Sequence, residues 1–200
     1  MKEESNEATV GIAEDGDVVF VVGPARKRLR VYSLFARTAS PVLKVMLGPN
    51  FCEGQQLATN GLAEVELPED DAQALETVFN VVHGRNSTVP DKISPRELFR
   101  VAVITDKYDC LEPMALAVRL WLSCIGTTNS ESLWALALAG YLFRNQKYFS
   151  RVTSALAFHH GGSYLELVRK YEHEAVDYVA MLRMAGQSLL LYPYLLVNLT

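Results

Sequence analysis

The 200-residue chain is 50% hydrophobic and 21% charged, with a net charge of −4 at pH 7. This composition is typical of a globular protein and excludes extended disorder beyond the first residues. The net negative charge argues against a general nucleic-acid binder. The longest apolar tract, SLLLYPYLLVNL at residues 188–199, is too short for a membrane span and contains Pro193, so no membrane association is predicted.

The N-terminal residues and the cysteines indicate the compartment. MKEESNEATV lacks the basic start and apolar run of a signal peptide. Cys52, Cys110 and Cys124 form no C-x-x-C pair, which favours a reducing environment. We therefore expect an intracellular protein, cytoplasmic or nuclear. Each cysteine is predicted to be a small buried hydrophobe.

The first predicted element is a β-hairpin. Its strands are DVVFVV (17–22) and RLRVYS (28–33), and GPARK supplies the turn between them. Four cations fall within Arg26–Arg30. They suggest either a phosphate-binding or nuclear-import patch, or a charged hairpin whose cations protect an exposed sheet edge, and we favour the second interpretation.

A helix, a loop, a strand and a second helix follow the hairpin. Ser40-Pro41 predicts a helix that runs to about Leu47 and ends at Gly48-Pro49. We expect a polar loop at residues 50–63, and then a strand in AEVELPED because apolar and polar residues alternate. Four apolar residues at helical spacing predict a helix after Asp71: Leu75, Val78, Phe79 and Val82.

The second half of the chain has only helical patterns. Ser94-Pro95 opens a helix that should run to about Lys107. In the next helix one face carries Ala117, Leu120, Trp121 and Cys124, which predicts that Cys124 packs beside Trp121. After the linker GTTNSES (126–132), SLWALALAGYLFRN predicts a buried helix, and KYFSRVTSALAFHH and YEHEAVDYVAMLRMA predict amphipathic ones. The order indicates an α+β protein.

No motif for catalysis or metal binding is present in the sequence. Cysteines, four histidines and many acids occur, but no local signature joins them into an activated nucleophile. His159-His160 has no cysteine at ligand spacing and is better explained as a solvated helix end. We expect a non-enzymatic protein with no catalytic residues, no cofactor and no metal.

Taken together, these segments resemble the BTB/POZ domain, especially the short form that is abundant in fungal proteins. The resemblance is carried by GDVVFVV, RLRVYSLFARTASPVLKVML, NFCEG, VELPEDDAQALETVFNVVHGR and ELFRVAVITDKYDC, in the family's order and spacing. It implies a BTB/POZ fold, a small β-sheet flanked by a cluster of helices, followed by an all-helical C-terminal extension. The expected divisions are a flexible N-terminus (1–15), the BTB/POZ domain (16–126) and the extension (127–200).

The resemblance implies a role in protein–protein interaction. In BTB adaptors of cullin-based ubiquitin ligases, the cullin contacts a hydrophobic-x-Glu triplet after the Ser-Pro helix, and Phe51-Cys52-Glu53 matches that triplet. The implied partner-binding residues are Phe51, Glu53, Met46 and Tyr108, together with the helix from residue 94 to residue 108. The alternative at Phe51 is a ring that caps the core, with Glu53 merely solvated. The alternative function is a self-association or regulatory scaffold module without a ubiquitin-ligase role.

The sequence departs from the family at several positions. Tyr32 stands where the family usually has histidine, and Leu43 stands where an aromatic is common. Both substitutes are expected to fill an apolar site. Sixteen residues precede Asp17, with no clear extra helix and strand of the kind that partners exchange. Any homodimer is therefore expected to form without strand swapping.

Overall fold

The computed structural model describes residues 9–124 and 126–162, together with residues 166, 167 and 169. Within this part the chain is mixed α+β, as predicted, with an open four-stranded sheet and eight helices. The strands are β1 (Val10–Gly11), β2 (Val18–Val22), β3 (Lys27–Val31) and β4 (Ala63–Leu67). The helices are α1 (Ser33–Ala39), α2 (Pro41–Met46), α3 (Cys52–Asn60), α4 (Ala72–Val82), α5 (Pro95–Lys107), α6 (Leu111–Cys124), α7 (Ser130–Leu142) and α8 (Gln146–His159).

The predicted hairpin is confirmed except at its end, because the second strand stops at Val31 and Ser33, predicted as strand, begins α1. β2 and β3 pair antiparallel, with Phe20 opposite Leu29, and β4 then adds to β2 in parallel. β2 is buried along its whole length, whereas β4 alternates between buried apolar residues and exposed glutamates. A strand buried on both faces needs an unbroken apolar run, and an outer strand with one wet face needs alternation. VVFVV and AEVEL meet these two requirements.

β1 was not predicted, because residues 10–13 were assigned to a flexible N-terminus. Val10 pairs in parallel with Leu29, and the following Ile12 and Ala13 are buried. The strand order β1-β3-β2-β4 places β3 between two neighbours. The interpretation of the Arg26–Arg30 cations as guards of an exposed edge is therefore wrong where β1 covers β3.

Two helices begin with side-chain caps. The Leu43 backbone N–H donates to Ser40 Oγ (3.0 Å) at the start of α2, and the Ala74 N–H donates to Asp71 Oδ1 (2.8 Å) at the start of α4. These bonds satisfy amide groups that have no partner within the helix. α4 buries Leu75, Val78 and Phe79, so the predicted buried face is confirmed for these three residues.

The predicted polar loop at residues 50–63 is wrong, because residues 52–60 form α3. Gly61 ends this helix in a left-handed conformation (φ +70°), and its N–H donates to the Leu57 carbonyl. The segment was predicted as a loop because it is mostly polar. Its glutamine, leucine and alanine residues are nonetheless good helix formers, and a helix with one wet side can be polar.

The predicted inner face of α6 is also wrong. Trp121 is fully buried, but Leu120 is 49% exposed and Cys124 is exposed. The residues that share the buried side with Trp121 are Met114, Val118 and Leu122. The helix has apolar residues on more than one side, so periodicity alone could not select the inner one. Of the three cysteines, Cys110 is buried as predicted, whereas Cys52 and Cys124 are exposed.

The last two described helices agree with their predictions. Residues 133–140 of α7 are buried on all sides, and Asn129 caps its start by accepting from the Ser132 N–H. α8 is amphipathic and buries Tyr148, Val152 and Leu156. YEHEAVDYVAMLRMA and SLLLYPYLLVNL lie outside the described residues.

The described residues fall into two compact units. Unit 1 holds residues 9–90 and 104–117, and unit 2 holds residues 91–103 and those from 118 onward. Unit 1 contains the sheet and helices α1 to α4. The predicted domain limit between residues 126 and 127 stays a prediction. Among the described helices, none has the length and apolar character needed to cross a membrane.

Candidate partner-binding site

The triplet Phe51-Cys52-Glu53 lies at the start of α3, close to the end of α2. Gly48 donates its backbone N–H to the Val45 carbonyl (2.9 Å), and Phe51 donates its N–H to the Gly48 carbonyl (3.2 Å). Phe51 is extended (φ −115°, ψ 152°) and is the last residue before the helix. These turns connect α2 to α3 through Gly48-Pro49, as the sequence predicts for the end of α2.

A close backbone contact fixes this connection. A β-carbon on Gly54 would lie 1.9 Å from the Gly48 carbonyl oxygen, so only glycine allows the first turn of α3 to rest on that carbonyl. Gly54 is buried. The triplet is therefore held on two adjoining elements, and the position of Phe51 does not depend on a free loop.

The Phe51 ring is 46% exposed. Phe51 is thus partly exposed and partly covered by the protein, and both interpretations, a partner contact and a ring that caps the core, stay predictions. A partly exposed aromatic ring can supply a large contact area at a small cost in side-chain entropy. The geometry leaves Phe51 available to a partner.

Glu53 is half-buried in the first turn of α3 and interacts with its neighbour. The Cys52 thiol donates to Glu53 Oε2 (3.1 Å). This hydrogen bond to the carboxylate raises the pKa of the Cys52 thiol above its usual value. A raised thiol pKa disfavours the thiolate, so Cys52 does not have the properties of an activated nucleophile.

Tyr108, unlike Phe51, is buried. Tyr108 is 2% exposed, and its hydroxyl donates to the buried Asp70, which also accepts from Lys107. Burial, followed by the hydrogen bond to Asp70, raises the pKa of the Tyr108 hydroxyl. The side chain of Tyr108 is therefore a structural element and is not accessible for direct contact with a partner. Met46 is half-buried.

Much of α5, the helix that was predicted to help recruit a cullin, is also inaccessible. Its buried residues are Leu98, Phe99, Val101, Ala102, Ile104 and Thr105. The exposed ones are Arg96, Glu97, Asp106 and Lys107. Any partner of α5 would meet charged side chains.

The predicted basic patch of the hairpin is largely neutralised. Arg26 forms two hydrogen bonds with Glu66 (2.7 and 3.1 Å), Lys27 pairs with Glu76 (2.5 Å), and Arg28 pairs with Glu64 (2.6 Å). Glutamates of β4 and α4 thus form ion pairs with these three cations. The arrangement favours a structural role over binding of phosphate or of an import receptor.

His83 was not singled out by the sequence but occupies a defined position beside α1. The Tyr32 backbone N–H donates to His83 Nε2 (3.2 Å), and His83 Nδ1 lies 2.8 Å from the Phe79 carbonyl oxygen. Both bonds are satisfied by a neutral imidazole whose proton is on Nδ1. Burial lowers the pKa of His83 from its ordinary value, and the neighbouring charge of Arg85 acts in the same direction.

Metal-ligating side chains do not cluster in the described part of the chain. No group of three or more His, Cys, Asp and Glu residues is placed there to hold a metal ion. The Cys110 thiol is buried, which raises its pKa to about 12. It therefore packs as an uncharged side chain, as the sequence predicted.

One surface was missed from the sequence: the outer side of α1 and α2. Leu34, Phe35, Val42 and Val45 are all exposed there, and Tyr32 is 38% exposed beside them. Tyr32 fills its expected apolar site only in part, with its ring beside those of Phe35 and His83, whereas Leu43 is 3% exposed and fills its own. The segment FARTASPVLKV could have indicated this surface, because it has more apolar residues than two short helices can bury.

In comparisons with known proteins, no family model matches this chain, and no curated protein matches it either.

Proposed function

We propose that the chain is a non-enzymatic protein-interaction module of BTB/POZ type, and that it acts as a substrate adaptor for a cullin-based ubiquitin ligase. The cullin scaffold would bind at Phe51 and Glu53, and a substrate would bind elsewhere on the chain. This proposal rests on the sequence resemblance described above. It goes beyond the α+β class that the fold displays.

The observation that carries the proposal is the exposed Phe51 ring at the start of α3. A hydrophobic-x-Glu triplet can serve as a contact only if its ring is accessible and its backbone is fixed. Phe51 is 46% exposed, and the contact between Gly54 and Gly48 holds the turn that follows it. A fixed, accessible aromatic ring is typical of the residues that dominate protein–protein binding energies.

The test is direct binding of the full chain to a purified cullin N-terminal domain, measured by calorimetry. Wild-type protein is expected to bind, and Phe51→Ala is expected to bind more weakly. Phe158→Ala is the matched control, because Phe158 is a 72% exposed phenylalanine of α8. Wild-type protein that binds no cullin would rule out the adaptor role.

The second candidate function is an assembly module that self-associates or binds a regulator, without ubiquitin-ligase chemistry. The exposed apolar residues of α1 and α2 favour this function, because such side chains usually mark a contact surface when they lie together. Light scattering of the protein alone, over a range of concentrations, separates self-association from the binding of a different protein.

A further inference from the structure

The outward side chains of two consecutive helices form a surface that we name the α1–α2 face. Its apolar members are Leu34 (70% exposed), Phe35 (43%), Val42 (38%) and Val45 (60%). Its charged members are Arg37 and Lys44, which are both exposed. All six residues belong to unit 1.

Both helices turn their buried residues towards α4. Ala36 of α1 and Leu43 of α2 are buried, and together with residues of α4 they line one small apolar void. Only Ser40 separates the two helices along the chain. Ala36 and Leu43 therefore face α4, and of the exposed apolar residues Phe35 also reaches α4, because its ring centroid lies 5.0 Å from that of His83, which ends α4.

The charge of the α1–α2 face is entirely positive. Residues 32–52 contain Arg37 and Lys44 and no aspartate or glutamate. Within the described part of the chain neither cation forms an ion pair, whereas Arg26, Lys27 and Arg28 of the hairpin are all paired with glutamates. The chain as a whole has a net charge of −4, so the positive charge of this face is opposite in sign to the net charge of the protein.

The carboxylates nearest along the chain form hydrogen bonds with other groups. Asp17 accepts hydrogen bonds from the backbone N–H and the hydroxyl of Ser33 (2.6 and 2.7 Å). Glu53 accepts from the Cys52 thiol. Neither carboxylate neutralises Arg37 or Lys44, so these two cations are available to an anionic partner.

We propose that the α1–α2 face binds an acidic amphipathic helix of a partner protein. The apolar side of that helix would rest on Leu34 and Val45, and its carboxylates would lie against Arg37 and Lys44. Two short adjoining helices that expose apolar residues together with two cations are a suitable surface for an apolar stripe flanked by acids. The inference depends on the chain being a protein-interaction module, but it does not depend on cullin binding.

Two other occupants fit the charge pattern less well. A second copy of the chain would bring the same face with two more cations and no acid, and like charges across an interface are unfavourable. An anionic membrane surface usually attracts clusters of about four to eight cations, and this face has two. An acidic helix satisfies both the apolar and the charged residues.

Selection from a phage-displayed library of random peptides tests the proposal. The full chain is the bait, and the enriched peptides are then synthesised, labelled and titrated by fluorescence anisotropy at low and at high salt. Enriched peptides are expected to carry Asp or Glu beside Leu or Phe at helical spacing, and to bind more weakly at high salt. The double variant Arg37→Glu/Lys44→Glu should weaken their binding about tenfold or more.

Controls separate this binding from other causes. Arg119→Glu changes an exposed cation of α6 and is expected to leave affinity unchanged. Val45→Ser removes an exposed apolar contact without altering charge, and should weaken the same peptides in protein that remains folded by circular dichroism. Phe51→Ala, which tests cullin binding, is expected to have no effect on the selected peptides.

Several outcomes would overturn the proposal. These are enrichment of neutral or basic peptides, no enrichment at all, and equal affinity for the wild type and the charge-reversed variant. A wild-type dimer that Val45→Ser converts to monomer would assign the face to a second copy instead. Binding to phosphatidylserine vesicles that is lost in Arg37→Glu/Lys44→Glu would assign it to a membrane.

Discussion

Gly54 rests directly on the backbone of Gly48, and a β-carbon at position 54 would lie 1.9 Å from the Gly48 carbonyl oxygen. The contact joins α3 to the turn that ends α2. Because a carbonyl group within a tight turn has little freedom to move, any side chain at position 54 must displace the first turn of α3. The position of Phe51 therefore depends on a glycine three residues away.

Gly54→Ala is expected to destabilise the protein by about 1–3 kcal/mol, the usual cost of forcing an extra methyl group into a packed site. The matched control is Gly126→Ala, where an added β-carbon meets no atom within 4 Å. Chemical unfolding of both variants measures the difference. Equal stability of the two variants would show that the Gly54 contact is not a constraint.

Phe51→Ala is expected to lower stability by no more than about 1 kcal/mol if Phe51 is a partner contact, because the residue is 46% exposed. Its loss should remove about 2 kcal/mol of cullin-binding free energy, or about thirtyfold in affinity. Glu53→Ala should weaken binding through the loss of a charge-assisted contact. Unfolding and binding are measured on the same samples. A large loss of stability with unchanged affinity would instead assign Phe51 to the core.

Elements with local signals could be predicted from the sequence. The hairpin follows from two β-branched runs and a turn, and α2 follows from Ser40-Pro41 and Gly48-Pro49. The alternation of apolar and charged residues in AEVEL identifies the solvent-exposed face of β4. The hairpin and α2 depend on interactions between residues that are close in sequence, and the alternation in β4 is a local pattern even though this strand pairs with the distant β2.

The remaining features depend on contacts between distant residues. The burial of Tyr108 depends on Asp70, which lies far away in the chain, and β1 is stabilised by its pairing with β3. The polar composition of α3 hides a helix, and α6 has two apolar sides. Phe51 and Glu53 could be selected only through the family resemblance, since nothing local distinguishes a contact residue from a solvated one.

Trp121→Ala and Leu120→Ala compare adjacent residues of α6, one buried and one exposed. Trp121 is fully buried, so its truncation should cost about 3–5 kcal/mol. Leu120 is 49% exposed, and its truncation is expected to cost less than about 1 kcal/mol. Reversible urea unfolding provides both values. Similar losses of unfolding free energy for the two variants would instead support the buried face of α6 that was first predicted from the sequence.

The stability of the protein is expected to fall at acidic pH through His83. Burial lowers the folded-state pKa of His83 below the ordinary value of 6.5, so the unfolded chain binds the proton first. Protonation also removes the acceptor for the Tyr32 N–H. The contribution is therefore fully present above pH 6.5 and is lost as the pH falls below it towards the folded-state pKa.

His83→Gln is the matched variant for this pH dependence, because glutamine cannot titrate in this range. Unfolding free energies of both proteins, measured at several values between pH 8 and pH 5, should differ in slope below pH 6.5. The wild type should lose stability more steeply than His83→Gln. Parallel curves would show that the His83 environment does not favour the neutral form.

Tyr108→Phe tests whether Tyr108 is structural or a partner contact. The change removes the hydroxyl that donates to Asp70 and leaves this buried carboxylate with Lys107. Loss of a hydrogen bond to a charged group should cost about 1.5–3 kcal/mol. Tyr141→Phe, at a 44% exposed tyrosine of α7, is the control and should be nearly neutral. Because Tyr108 is buried, cullin affinity of the folded Tyr108→Phe protein should equal that of the wild type. An unchanged stability with a marked loss of affinity would instead support the predicted contact between Tyr108 and a partner.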